Sequence, residues 1–155
     1  ERFDAHEFVY EVAAAGCPLI FIERDVDLSR LREGVRVPPV VIRVSDARKA
    51  LGRLAHAYRR SLTRTRVIAV CGSNGKTTTV RLIDAVLASR LSGSASKKSF
   101  NNDIGVPLTI LGASPTDQYL ICEVGTNAPG EIAHLAGIVE PDVSVITSIG
   151  REHLE

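Results

Sequence analysis

The residues with the clearest chemical meaning form a glycine-rich segment, Gly72-Ser73-Asn74-Gly75-Lys76-Thr77-Thr78. Glycines let backbone N–H groups approach an anion closely. Lys76 supplies a positive charge for β- and γ-phosphates, and Thr77 supplies a hydroxyl for Mg²⁺. The spacing is the shorter G-x-x-G-K-T, because Val70 stands where the longer G-x-x-x-x-G-K-[ST] pattern has its first glycine. The segment predicts a phosphate-binding loop.

The elements on either side of this loop suit that role. The apolar, β-branched run over 67–71 predicts a buried parallel strand. Apolar residues at helical spacing predict a helix over 80–87. The N-terminus of this helix would add unpaired N–H donors and the positive end of a dipole. Strand, glycine loop and helix together are the architecture of a nucleotide-phosphate site.

Two titratable side chains outside the loop are predicted to reach the same crevice. Glu123 ends an apolar strand, where a carboxylate can hold Mg²⁺ directly or through water; the alternative is an acid that only faces solvent. His153 follows a later strand after a glycine turn. It could bind metal or phosphate, or it could be an ordinary surface residue.

Four polar residues are weaker candidates for substrate recognition. The amides of Asn101 and Asn102 suit sugar or phosphate contacts, or equally the turn before a helix. Asp4 is predicted to cap a helix, and His6 would lie in its first turn. A polar ligand could approach there, although a purely structural role explains both residues as well.

Strands and helices alternate along the rest of the chain. Strands are predicted at 19–22, 40–44, 67–71, 119–124 and 143–147, and helices at 4–15, 47–58, 80–87, 107–111 and 131–139, with a loop over 89–99 that could hold one short strand. This order predicts an α/β fold with parallel sheets and right-handed crossovers. A polar stretch over 61–66 places a domain boundary between residues 62 and 63.

Composition limits the classes of function. The chain has 155 residues, of which 45% are hydrophobic and 24% charged, and its net charge is +1. These values are typical of a globular protein and give no reason to expect a nucleic-acid or membrane surface. The three cysteines lack metal-ligand spacing, so we expect reduced thiols in a cytoplasmic protein. Because the chain contains no methionine, we expect it to be a piece of a longer protein.

Several segments together resemble the Mur ligases. They are the loop 71–78 and the blocks 101–109, 123–132 and 149–155, while 2–8 resembles the family's N-terminal, UDP-binding domain. The resemblance covers nearly the whole chain in the family's order. It implies a partial N-terminal domain over 1–62, followed over 63–155 by the first part of a P-loop, parallel-sheet ATP-binding domain.

The resemblance also implies a reaction in peptidoglycan precursor synthesis. The Asn-Asn and Pro-Gly-Glu-Ile blocks are similar to the member that adds D-alanyl-D-alanine to UDP-N-acetylmuramoyl-tripeptide through an acyl phosphate, with ATP and Mg²⁺. It implies catalytic roles for Lys76, Glu123 and His153, with Thr77, Glu123 and His153 as metal ligands. It implies substrate contacts at Asp4, His6, Asn101 and Asn102, and ATP contacts along the loop from Gly72 to Thr78.

Other interpretations stay open at this point. They include another Mur ligase, a folylpolyglutamate synthase-like amide ligase, a GTPase or kinase with a P-loop, and a non-catalytic nucleotide-binding homologue. No Asn-Lys-x-Asp guanine signature is present. The family's modified lysine and C-terminal domain would follow residue 155, so these 155 residues alone are expected to lack ligase activity. The protein is expected to be a monomer.

Overall fold

The computed structural model describes residues 4–97, 100–126 and 128–150. They form two compact units that divide between Ala50 and Leu51. Every strand pair in both units is parallel. The predicted α/β class with parallel sheets is therefore confirmed.

The first unit contains a 3-10 helix (Ala5–Phe8), α1 (Val9–Ala14), β1 (Leu19–Ile22), a short 3-10 helix (Arg30–Arg32), β2 (Val40–Arg43) and the beginning of α2 (Ala47–Ser61). The second unit continues with β3 (Arg66–Cys71), α3 (Lys76–Ala88), β4 (Gly93–Ala95), α4 (Gly105–Leu111), β5 (Tyr119–Glu123), α5 (Glu131–Val139) and β6 (Val143–Ile146).

The first unit is built around one parallel strand pair. β1 and β2 pair from Leu19 opposite Val40 to Ile22 opposite Arg43. Its core contains Val9, Ala13, Ile20, Ile22 and Leu31. Gly16 has φ +86 just after α1, so a residue without Cβ ends this helix as predicted.

The second unit is built around a four-stranded sheet in the order β4-β5-β3-β6. One face packs on α2, α4 and α5, and the other face packs on α3. All five residues of β5 are buried, because a parallel strand inside such a sheet is covered on both faces. Since parallel strands end at one edge, the segments after β3, β5 and β6 meet there, which places the candidate site.

The helix α2 shows why the compact units divide before the predicted boundary. Its apolar stripe packs with the second unit, where Ala55 and Leu62 are buried. The Tyr58 hydroxyl also donates a hydrogen bond to the carbonyl of Ala113 at 2.7 Å. The two compact units therefore do not divide at the polar stretch after the helix. The domain boundary between residues 62 and 63 stays a prediction.

A buried tyrosine ties α3 to the sheet. Tyr119 begins β5 with only 2% of its surface exposed, and its hydroxyl donates to Asp84 Oδ1 at 2.7 Å. Gly93 leaves room for the ring, because a Cβ there would lie 2.4 Å from Tyr119 Cδ1. Burial, followed by the hydrogen bond to Asp84, raises the pKa of Tyr119 to about 12.

This raised pKa predicts a loss of stability at alkaline pH. The unfolded chain releases the phenolic proton near pH ~10, whereas the folded protein retains it until about 12. The contribution of the protonated Tyr119 hydroxyl to the free energy of unfolding is therefore complete below the unfolded pKa. It disappears as the pH rises through this window. We expect urea unfolding to show a smaller alkaline loss for Tyr119→Phe than for the wild type. Burial also raises the pKa of Cys122 to about 12, so the difference between the two proteins is the informative quantity. Equal alkaline slopes would contradict the prediction.

Candidate functional site

The predicted phosphate-binding loop connects β3 to α3 in a conformation that two glycines make possible. Gly72 has φ +127 and Gly75, immediately before α3, has φ +83. A Cβ on Gly72 would lie 2.4 Å from Thr147 Oγ1 and 2.8 Å from the carbonyl oxygen of Ser148. The loop can therefore lie against the segment that follows β6 only because position 72 has no side chain.

The side chain of Lys76 folds back over this loop. Its ammonium Nζ donates to the carbonyl oxygens of Gly72 at 2.6 Å and Ser73 at 3.0 Å. Lys76 is the first residue of α3, where the backbone N–H groups have no partner within the helix. A phosphate entering the loop would thus meet a positive charge, several N–H donors and the positive end of the helix dipole.

Glu123 is buried rather than solvent-facing. It is the last residue of β5, lies opposite Val70 of β3, and has 3% of its surface exposed. The hydroxyl of Thr77 donates to Glu123 Oε2 at 2.8 Å. A buried carboxylate is costly unless hydrogen bonds or a cation compensate for the lost hydration. Its burial beside the loop excludes the interpretation of Glu123 as an acid that only faces solvent.

The donor set around Glu123 fits Mg²⁺. Thr77 and Glu123 offer a hydroxyl and a carboxylate oxygen at one point, and Mg²⁺ prefers such hard oxygen ligands together with phosphates and water. Within residues 4–97, 100–126 and 128–150, no group of three or more His, Cys, Asp or Glu could hold a metal ion. Nucleotide phosphates and water commonly supply the other ligands of Mg²⁺ at such sites. The metal role of Thr77 and Glu123 stays a prediction.

The two neighbouring asparagines occupy different environments. Asn101 Nδ2 donates to Glu123 Oε1 at 3.0 Å, so this side chain is part of the Glu123 cluster. Asn102 Oδ1 instead accepts from the backbone N–H groups of Ile104 at 3.2 Å and Gly105 at 2.9 Å. Asn102 therefore forms the turn before α4, which begins at Gly105 and not at the predicted residue 107. The predicted contacts of both asparagines with a UDP-linked substrate stay predictions.

Asp4 and His6 form a hydrogen-bonded cluster in the first unit. Asp4 caps the 3-10 helix as predicted, since its Oδ1 accepts from the backbone N–H of His6 at 3.0 Å and from the ring Nδ1 at 2.7 Å. These two bonds, the backbone bond first, hold the pKa of Asp4 below its usual value. His6 Nε2 accepts from the backbone N–H of Glu23 at 3.0 Å, and Arg24 pairs with Asp4. The predicted substrate contacts of these residues stay untested.

His153 lies outside the described residues, as do the other residues after 150. Its predicted roles as a catalytic residue and as a ligand to a second Mg²⁺ therefore stay predictions.

Two functional candidates that sequence reasoning missed are the hydroxyl residues directly after β6. Thr147 Oγ1 donates to the carbonyl oxygen of Asn74 at 2.6 Å. The backbone N–H of Asn74 donates to Ser148 Oγ at 2.9 Å. Both residues therefore hold the tip of the phosphate-binding loop. The available signal was a Thr-Ser pair at the end of the strand predicted over 143–147; β6 itself ends one residue earlier, at Ile146.

A cavity of about 650 Å³ opens beside the loop. Its walls are the first loop residues, the segment between β5 and α5, and the segment after β6; apolar side chains such as Val124, Ile132 and Ile146 predominate. Its volume is within the range of small-molecule sites, which are commonly apolar with a few polar groups. Phosphate donors and an apolar chamber thus lie at one edge of the sheet.

Residues 70–155 match the family model described as the Mur ligase middle domain. A similar curated relative is the UDP-N-acetylmuramoyl-tripeptide–D-alanyl-D-alanine ligase of Bacillus subtilis (strain 168). It is 41% identical over 158 residues, an alignment that covers 100% of this chain and 32% of the relative. The chain therefore spans about a third of the length of the curated relatives it matches.

Solved structures agree with these similarities. A crystal structure of MurF from Acinetobacter baumannii superposes with a TM-score of 0.85 and 37% sequence identity, covering 99% of this chain and 32% of that one. The MurF ligase of Thermotoga maritima in complex with ADP gives a TM-score of 0.81 and 31% identity, covering 100% of this chain and 34% of that one. In the described part of the chain, no helix is long and apolar enough to cross a membrane.

Proposed function

This chain belongs to the Mur ligase family, and from that premise we propose that it is part of an ATP-dependent ligase that joins D-alanyl-D-alanine to UDP-N-acetylmuramoyl-tripeptide. The resemblance seen in the sequence is confirmed by the family match and by the curated relatives. The supporting observation in the structure is the contact of Thr77 with the buried carboxylate of Glu123, beside Lys76 and its loop. Groups of these types recur at sites that bind a nucleoside triphosphate with Mg²⁺.

The proposed reaction has two steps. A carboxylate oxygen of the tripeptide attacks the γ-phosphorus of ATP, which forms an acyl phosphate and releases ADP. The amine of D-alanyl-D-alanine then attacks the acyl carbon, loses a proton and displaces inorganic phosphate. The net products are an amide bond, ADP and phosphate.

The residues at the loop address the main obstacle to the first step, which is repulsion between a carboxylate and a triphosphate. Lys76 would exchange its contacts with the carbonyl oxygens of Gly72 and Ser73 for phosphate oxygens, where negative charge increases during transfer. The N–H groups of the first turn of α3 would hold the phosphates in line. Mg²⁺, when bound by Thr77 and Glu123, supplies additional positive charge.

The remaining parts of the proposal concern substrates and setting. The apolar cavity beside the loop offers room for an acyl group next to the γ-phosphate. We assign Asn102, Asp4 and His6 to the UDP-linked substrate and His153 to a second Mg²⁺, as the family resemblance implies. The resemblance implies a substrate contact for Asn101 as well. Free cysteines in the described residues and the proposed use of ATP favour a cytoplasmic enzyme. We also propose that the enzyme is a monomer.

The test is an amine-substrate screen with the intact protein. We expect ADP formation only when ATP, the UDP-linked tripeptide and D-alanyl-D-alanine are all present, with the dipeptide joined to the product. Tripeptides ending in lysine and in diaminopimelate should both be tried. Turnover with single amino acids but not with the dipeptide would indicate another amide ligase of the family. Mg²⁺-dependent ADP binding without turnover on any amine would indicate a non-catalytic nucleotide-binding protein.

A further inference from the structure

We infer that Asn101 is a positioning residue that orients the carboxylate of Glu123 for a metal-bound nucleotide, and not primarily a contact for the UDP-linked substrate. This inference rests on the proposed function, because it concerns the same nucleotide site. It differs from the role that the sequence resemblance implies for Asn101. The observations that support it are the contacts of Asn101 with Glu123 and with Gly125.

Asn101 is joined to the end of β5 at two points. Its side-chain Nδ2 donates to Glu123 Oε1 at 3.0 Å. Its backbone carbonyl oxygen accepts from the N–H of Gly125 at 2.7 Å. Two bonds therefore hold the Asn101 amide beside Glu123: the side-chain bond itself, and the backbone bond to Gly125 just after β5.

The two oxygens of Glu123 have different partners. Oε1 accepts from Asn101, and Oε2 accepts from Thr77 at 2.8 Å. The backbone N–H of Glu123 also donates to Ser96 Oγ at 2.9 Å. The terminal torsion of a glutamate is otherwise broad, so a donor on one oxygen fixes the plane of the carboxylate and thereby directs the other oxygen toward Thr77 and the loop. Asn101 can thus act on the metal site without touching the metal or the nucleotide.

Gly125 provides an independent indication that the position of this amide matters. A Cβ at residue 125 would lie 2.9 Å from Asn101 Cγ and 3.0 Å from Asn101 Nδ2. Gly125 does not have a positive φ, so its backbone conformation does not itself require glycine. The missing side chain instead leaves the space in which the Asn101 amide reaches Glu123.

The expected size of the effect follows from comparable sites. Removal of a group that orients a metal ligand commonly lowers metal affinity or activity by about 10- to 100-fold. A residue that only contacts the UDP-linked substrate would leave the Mg²⁺ requirement for nucleotide binding unchanged. The Mg²⁺ dependence of ADP binding therefore separates the two roles without any measurement of turnover.

The experiment compares Asn101→Ala with wild type in the intact protein, using ADP and Mg²⁺ as probes in calorimetry. We expect the Mg²⁺ concentration for half-maximal ADP binding to rise about 10-fold or more. ADP affinity in EDTA, and affinity for the UDP-linked tripeptide without nucleotide, should change less than about 2-fold. The variant keeps the backbone bond to Gly125, so its fold should survive, which thermal unfolding checks.

Gly125→Ala gives a second, independent test, because it retains Asn101 but displaces its amide. We expect the same direction of change in Mg²⁺ dependence. Gly137→Ala is the matched control, since a Cβ there meets no atom within 4 Å. It should bind ADP with wild-type Mg²⁺ dependence.

The outcomes distinguish this inference from the proposed function. An unchanged Mg²⁺ midpoint in Asn101→Ala, with weakened binding of the UDP-linked tripeptide, would overturn the positioning role and favour direct substrate contact. An unchanged midpoint in a folded Gly125→Ala protein would also contradict it. If the wild-type protein showed no Mg²⁺-dependent ADP binding at all, the proposed function itself would fail.

Discussion

Replacing Lys76 by alanine is expected to lower ATP-dependent turnover of the intact protein by at least about 100- to 1,000-fold, while binding of the UDP-linked tripeptide survives. The ammonium lies over the loop, 2.6 Å from the carbonyl oxygen of Gly72 and 3.0 Å from that of Ser73. It is therefore positioned where the β- and γ-phosphates would bind. Its removal would leave charge on the transferring phosphoryl group without the ammonium that lies over the loop.

Two further variants test whether the loss comes from the geometry and the position of the Lys76 charge. Lys76→Arg keeps the charge but replaces a compact ammonium with a planar guanidinium, so we expect most of the activity to be lost. Arg81→Ala removes a positive charge from an exposed residue of the same helix and should leave turnover close to wild type. Steady-state kinetics with ATP and a separate binding assay for the tripeptide make both comparisons. Substantial turnover in Lys76→Ala would refute the assigned role.

Gly72→Ala is expected to be the most damaging single-methyl change in the loop. The residue has φ +127, a conformation that costs a non-glycine residue about 1–3 kcal/mol. The added Cβ would also lie 2.4 Å from Thr147 Oγ1 and 2.8 Å from the carbonyl oxygen of Ser148. Strain and steric overlap together should separate the loop from the segment after β6. We expect both the free energy of unfolding and the affinity for ADP to fall.

Gly34→Ala separates strain from overlap. Gly34 has φ +70, but a Cβ there meets no atom within 4 Å, so this variant introduces strain alone. It should lower the free energy of unfolding by about 1–2 kcal/mol and leave ADP affinity unchanged. Urea unfolding and ADP titration of both variants make the comparison. If Gly72→Ala lowered the free energy of unfolding and the ADP affinity no more than Gly34→Ala does, the prediction would be wrong. The close approach of the loop to residues 147 and 148 would then contribute neither to stability nor to ADP binding.

The phosphate-binding loop could be predicted from sequence because its determinants are local. Glycine spacing, Lys76 and the apolar runs on either side all lie within one continuous stretch, and each has a short-range physical meaning. The same holds for the Asp4 cap, the stop of α1 at Gly16 and the order of strands and helices. Alternation of these elements was sufficient to predict parallel sheets, since a helix connection returns the chain in the same direction.

The environment of Glu123 depended on the tertiary structure. Sequence placed it at a strand end but left burial and solvent exposure as alternatives. The parallel register sets Glu123 opposite Val70, one strand away from the loop, and this brings its carboxylate to Thr77. Register follows from packing of both sheet faces between helices, which involves residues far apart in sequence.

By itself, the sequence predicted a glycine-rich loop between a strand and a helix in an α/β fold, and the family resemblance it showed was confirmed. Only the tertiary structure decided which polar groups surround that loop. It placed Thr147 and Ser148 at the loop tip, and it separated Asn101 beside Glu123 from Asn102 at the start of α4. Two adjacent amides have the same chemistry in a sequence. Their roles differ because a side chain's partners are set by the strands and helices that the fold brings beside it.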